Sequence, residues 1–193
     1  MTNICVIPAR AGSRRIPLKN VKLFHGKPII SYSIKAAQDS GRFSLVVVST
    51  DSKDIADVAL EYGACPVWRG DAMSQDEIGT QQVMKFVLNQ LSLKFEFACC
   101  VYATAPMLSY LDIRSAYDIL INEENTDYVF SVGTDPLQDA AQFYWGRSEA
   151  FLRERNLIGE RTRIYPIPKN RVIDINTELD WSIAGQMFAD LYK

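Results

Sequence analysis

ICVIPARAGSRRIPLKN, Ile4 to Asn20, is a short apolar run that stops at Pro8 and opens into a loop of small residues and cations. A run of this length without alternation reads as a strand buried on both faces, the kind found inside a parallel sheet. Behind it, Ala9, Ala11 and Gly12 let the backbone come close to a ligand, while Arg10, Arg14, Arg15 and Lys19 bring charge that phosphates satisfy. The spacing is neither the GxxxxGK[ST] of the common phosphate loop nor the GxGxxG of dinucleotide binders. A nucleoside triphosphate is the expected ligand, the alternative being a solvated basic loop after the first strand. Arg10 and Lys19 are the cations expected to act on the reacting phosphates, with Arg14 as the third, because phosphoryl transfer depends on positioning and on neutralising phosphate oxygens. Backbone N–H groups of Ala11, Gly12 and Ser13 are expected to form an anion-binding concavity.

Outward from this stretch the same unit recurs. Pro28 to Ser40 has helical spacing, with Pro near its first turn and Gly41 past its end. LVVVS, Leu45–Ser49, is a second buried strand, followed by Thr50 and Asp51 as caps of a helix that runs to Glu61 and ends at Gly63. Strands at Cys65–Trp68, Phe97–Tyr102 and Tyr128–Val132 alternate with helices at about 79–90 and 111–122. The pattern predicts a single-domain, three-layer α/β sandwich with a mostly parallel twisted sheet. Ligands bind such sheets at the carboxyl ends of the strands, which places loops 9–19, 49–52, 69–80 and 103–107 along one rim. After Val132 the regularity breaks. AQFYW, Ala141–Trp145, reads as a strand of alternating exposure, Arg171–Ile175 as a further strand, and Glu178–Leu191 as a final amphipathic helix.

The 193 residues carry a formal charge of −2. That balance argues against general nucleic-acid or membrane-surface binding, so any basic site is local. No apolar run is long enough to span a bilayer and no secretory leader is evident, so the protein is expected to be cytoplasmic. Cys5, Cys65, Cys99 and Cys100 have no zinc-like spacing and read as plain thiols, with Cys99 and Cys100 on opposite faces of one strand. A catalytic triad would need the single His25, which lies in a turn.

Several segments admit two readings. Ser49, Thr50 and Asp51 either cap a helix or line the nucleotide site. VYATAP, Val101–Pro106, is either a strand-to-helix turn or a wall for a base or sugar. QFYW, 142–145, either offers polar and aromatic groups to a sugar or is a half-buried strand. Asp174 and Asn176 place two oxygen donors on one face of an extended segment, as magnesium beside a triphosphate requires, or simply begin a helix.

Taken together, IPARAGSRRIPLKN, FHGKPII, VSTD at 48–51, YATAP at 102–106, QFYWG at 142–146 and DINTELDW at 174–181 resemble the cytidylyltransferases that activate nonulosonic and related acids as CMP-sugars. Within that family, Arg14–Pro17 and the segments at 99–106 and 142–146 are most similar to the branch acting on pseudaminic acid. The resemblance implies a nucleotide-diphospho-sugar transferase-like sandwich. It implies that the 2-hydroxyl of a nine-carbon or eight-carbon keto sugar acid attacks the α-phosphate of CTP and releases pyrophosphate. It places Ala9, Ala11, Gly12, Ser13, Arg14, Asn20, Asp51 and Ser74 around the nucleotide, Ser74 near the cytosine or ribose. Ala103, Thr104, Gln142, Phe143 and Tyr144 are then expected around the sugar, Asp174 and Asn176 on Mg2+, and the chain in a homodimer.

Two departures stand out. Asn176 replaces an anionic ligand of the family's Asp-x-Asp by a neutral carbonyl. Only Gly133 to Asp139 stands where the resemblance implies a long arm used in sugar binding and dimerisation. Because Thr134–Asp139 resembles the end of that arm, the sequence given is expected to omit a stretch rather than the protein to have lost it. A nucleotide-binding protein without turnover is the rival reading.

Overall fold

The apolar run at Ile4 lies in β1 (Asn3–Pro8), whose side chains are buried up to Ile7. The structure, a computed structural model, describes residues 2–193. β1 pairs in parallel with β4 (Leu45–Thr50) on one side and β6 (Phe97–Val101) on the other. This central position is why its sequence does not alternate. β5 (Cys65–Trp68) extends the sheet beyond β4, and the full order is β5-β4-β1-β6-β8-β7-β9. Successive residues of the central strands feed two cores. Cys5, Ile7, Val48, Cys99 and Val101 pack with α1 (Ile29–Ser40), α2 (Lys53–Glu61) and α4 (Tyr110–Asn122). Ile4, Val6, Val47, Ala98 and Cys100 pack with α3 (Thr80–Gln90) and α5 (Ser148–Leu152) on the other face. Cys99 and Cys100 do point to opposite layers, and burial pushes both thiols, and that of Cys5, well up.

β8 (Leu137–Arg147) is the antiparallel member, inserted between β6 and β7 (Tyr128–Thr134). QFYW therefore corrects the expectation of alternating exposure: Gln142, Phe143, Tyr144 and Trp145 are all buried, because the strand has neighbours on both sides. The Trp145 indole N–H donates to the Ile113 carbonyl at 3.0 Å and ties α4 to the sheet. Between β7 and β8 the connection is short, since Gly133 and Thr134 already pair with Gln138 and Leu137.

The strand expected at Arg171–Ile175 is not formed. Lys169–Arg171 makes one 3-10 turn, and the Arg171 guanidinium instead clamps the buried Asp112 through 2.5 Å and 3.2 Å bonds. The sheet ends in β9 (Thr162–Ile167), parallel to β7. Its Pro166 is tolerated because an edge strand leaves one side unpaired.

The last helix, α6 (Glu178–Leu191), matches its expected bounds. Trp181 and Phe188 pack edge-on against Phe24, which belongs to a hairpin of β2 (Leu23–Phe24) and β3 (Lys27–Pro28). His25 is spent in this contact: its Nε2 lies 2.9 Å from the Gly185 carbonyl oxygen. The docking of α6 carries residues 174–177 back onto the loop after β1. No helix among the described residues is long and apolar enough to cross a membrane.

Candidate active site

The loops that follow β1, β4, β5 and β6 meet at the carboxyl edge of the sheet, as the alternating pattern predicts. Those after β1, β5 and β6 surround a cavity of about 560 Å³. Residues 8–20 form one wall, with Arg10, Arg14, Arg15 and Lys19 facing inward. Arg69, Gln75, Asp76 and Thr80 form the opposite wall, and Tyr102, Ala103 and Thr104 line it from the end of β6. Asn176 closes the side nearest α6.

Local contacts hold the cationic loop open. Asn20 donates from Nδ2 to the Arg10 carbonyl at 3.0 Å, and Ile16 is buried against Phe24 and Ile175 as the loop's apolar anchor. Asp51 accepts the Ala11 N–H through Oδ1 at 2.8 Å, and the Ser13 N–H turns back to the Ala11 carbonyl at 2.8 Å. These bonds correct the expected concavity of N–H groups, since two of its three donors are already used. Asp51 steers the loop and does not line the cavity. Ala9 is buried and pairs with the Ser49 carbonyl at 2.9 Å.

The electrostatics favour an anion. Arg10 ion-pairs with Asp76 and donates to the Ser74 carbonyl at 3.2 Å, and Arg14 reaches the other Asp76 oxygen at 3.2 Å. The Arg10 guanidinium holds the Asp76 carboxyl below the usual range. Lys19 donates to the Ile175 carbonyl at 2.7 Å, and burial lowers its pKa against the opposing pull of Asp174. Five cations thus line a cavity whose walls carry one carboxylate, Asp76. Asp76 occupies both arginines in the manner a phosphate would.

The structure places Arg10, Ser13, Arg14, Lys19, Asn20, Ala103, Thr104 and Asn176 in this cavity, and Gly12 and Ser74 in an adjoining cleft beside Glu77. Ser74 contributes its carbonyl to Arg10, while its hydroxyl donates locally to the Gly70 carbonyl at 3.3 Å. Gln142 and Phe143 do not reach the cavity. The Gln142 amide donates to the Arg171 carbonyl at 2.6 Å, and Phe143 lies in the core. Tyr144 sits one layer behind, where its hydroxyl contacts Asp139 and the Tyr102 hydroxyl. Tyr102 presents the aromatic surface that QFYW was expected to supply.

Arg69 is the main residue that pattern reading missed. It is 3% exposed, lines the cavity, and no side-chain hydrogen bond or ion pair reaches its guanidinium among the described residues; its Nε is buried without a partner. Burial lowers its pKa, with Asp51 opposing. A lone arginine directly after the short strand β5, on a loop already assigned to the rim, was the available signal.

Magnesium commonly binds through one or two carboxylates together with substrate phosphates and water. Asp174 fits that role, being exposed and joined through its Oδ2 to the side-chain amide of Asn176, which lines the cavity. Asp180 does not, because it caps α6 by accepting the N–H groups of Asn176 and Thr177 at 2.9 Å and 2.7 Å. Asn176 departs from the expected pair of metal ligands. Its Oδ1 accepts from Arg15 Nη2 at 3.0 Å, so that oxygen is already engaged. No cluster of three or more His, Cys, Asp or Glu residues suited to a metal occurs among the described residues.

A mostly parallel sheet sandwich with a cationic cavity at the strand ends suits a protein that handles nucleotide phosphates. The cytidylyltransferase family profile matches residues 4–164, and the chain belongs to that family. A pseudaminic acid cytidylyltransferase of Campylobacter jejuni is 36% identical over 224 aligned positions, covering 97% of both chains. An N-acylneuraminate cytidylyltransferase of Danio rerio is 31% identical, covering 94% of this chain and 49% of its own. Among solved structures, a CMP:2-keto-3-deoxy-manno-octonic acid synthetase complexed with CTP superposes with a TM-score of 0.82 at 13% identity, covering 99% of this chain and 100% of its own. That likeness confirms the three-layer fold.

Proposed function

We propose that this chain transfers CMP from CTP to the 2-hydroxyl of pseudaminic acid, releasing pyrophosphate. The observation that carries the reading is the cavity in which five cations face one carboxylate, within a chain 36% identical to a pseudaminic acid cytidylyltransferase over nearly its whole length. On binding, the triphosphate displaces Asp76 and takes over Arg10 and Arg14. Lys19 adds a third charge from the α6 side, and Arg69 a fourth from behind. Pre-set cations of this kind stabilise charge as it builds on the departing pyrophosphate, with little reorganisation at the moment of reaction. Tyr102, Ala103 and Thr104 offer the surface against which the sugar packs. Bound magnesium, held by Asp174, would supply further neutralisation of phosphate charge and in-line orientation.

Incubation with CTP, magnesium and pseudaminic acid is expected to release pyrophosphate. Release with N-acylneuraminic, legionaminic or 3-deoxy-octulosonic acid instead would reassign the sugar, and calorimetric CTP binding with all four acids inert would reduce the protein to a nucleotide binder. A cytoplasmic homodimer belongs to the same proposal and is tested by fractionation and sedimentation. The alignment to the Campylobacter protein runs over more positions than this chain has residues, which is consistent with a stretch absent from this sequence near 133–139.

A further inference from the structure

Arg15 lines the cavity, yet it differs from the other cations of its loop. Arg10 and Arg14 share Asp76, and Lys19 lies close enough to Asp174 to feel its charge. No ion pair joins Arg15 to a carboxylate among the described residues, and Asp180 senses it only at longer range. Its hydrogen-bond partner is the neutral side-chain oxygen of Asn176. Asn176 is fixed from three directions. Nδ2 donates to Asp174 Oδ2 at 2.6 Å, Oδ1 accepts from Arg15, and the backbone N–H is held by Asp180. A carboxylate accepts only and a guanidinium donates only, so turning the amide over would set donor against donor and acceptor against acceptor.

We infer that Arg15 is a triphosphate ligand which Asn176 positions, and that its charge serves where a carboxylate at 176 would have recruited metal. This rests on the reading of the cavity as a CTP site. A neutral amide aims the guanidinium without neutralising it. An aspartate there would pair with Arg15 in place of the amide contact, compete with phosphate for it as Asp76 does for Arg10 and Arg14, and raise the site's demand for a divalent cation. With Asn176, Arg15 stays available and CTP binding depends only weakly on magnesium.

Calorimetric CTP binding to the full chain, once in EDTA and once in excess magnesium, tests this, with thermal melting as the control for folding. The wild type is expected to keep its EDTA affinity within about tenfold of its magnesium affinity. Arg15→Gln is expected to lose about ten- to a hundredfold in EDTA, the range for a hydrogen bond to a charged group, and Arg15→Lys to recover part of it. Asn176→Asp is expected to lose comparably in EDTA, to regain the loss with magnesium, and to bind Mn2+ more tightly by electron paramagnetic resonance. A folded Arg15→Gln that binds CTP in EDTA as well as the wild type does, or an Asn176→Asp with unchanged metal dependence, overturns the inference. Failure of the wild type to bind CTP under either condition would instead remove the reading of the cavity.

Discussion

Replacing Arg69 by Met separates binding from folding, because the two effects have opposite signs. Arg69 is held by its backbone, whose N–H donates to the Thr50 carbonyl at 2.9 Å, and the substitution leaves that bond in place. The side chain is 3% exposed and its buried Nε has no partner, so the folded state carries a poorly compensated cation. Met has a similar length and fills the volume without charge. Exchanging buried charged groups for apolar ones of similar size is often neutral or stabilising, by about 1–4 kcal/mol. For a chain of this size 1 kcal/mol shifts the melting temperature by about 2–4 °C. Arg69→Met is therefore expected to melt at or above the wild-type temperature. Its CTP affinity is expected to fall about ten- to a hundredfold, since a charge-assisted bond to phosphate or base is worth about 1.5–3 kcal/mol. Differential scanning fluorimetry and titration calorimetry on one preparation measure both. A drop of several degrees with unchanged CTP affinity would refute the argument, and would make Arg69 a strut between β4 and β5.

Arg10→Ala is expected to lower turnover about 10²–10³-fold, as loss of one pre-set donor to developing charge does. Its fold should survive, because the Arg10–Asp76 pair is substantially exposed; pyrophosphate release alongside a melting curve checks both. Lys19 gives an alkaline limit. Burial sets its pKa below 10.5 and only the protonated form binds phosphate, so CTP affinity should decline as pH rises through that lowered value. In that window the unfolded chain holds more protons than the folded one, so stability rises with pH while binding falls. Lys19→Arg should remove the decline, and its persistence would assign the limit to another group. Gly146→Ala should cost about 1–3 kcal/mol in urea unfolding, because an added Cβ would lie 2.5 Å from Tyr128 Cδ1 and 2.7 Å from Phe151 Cε2. A cost near zero would mean that these rings move freely.

Much of the fold was legible because burial on both faces leaves a local signature. Val47, Val48, Cys99 and Cys100 are apolar in runs without alternation, and that alone distinguishes central parallel strands from edges. The final helix was equally clear from its amphipathic pattern, and the structure adds a capping box of Thr177 and Asp180 at its start. β8 was misjudged in exposure because a strand's own residues do not say whether one neighbour or two will flank it. β9 was missed because Pro166 lowers strand propensity and only an edge position makes it tolerable.

By itself, the sequence determined that the sheet is parallel at its centre, that the loop after the first strand is cationic, and that the ligand is an anion held at the strand ends. Those properties follow from contiguous residues, through periodicity and local charge. The tertiary structure alone decided how these groups are compensated before a ligand arrives: Asp76 pairs with Arg10 and Arg14, Asp51 takes the Ala11 N–H, and Arg15 meets Asn176 across 161 positions of chain. Charge is a property of a residue, but compensation is a property of a pair, and these pairs exist only once α6 has docked and the rim loops have closed around the cavity.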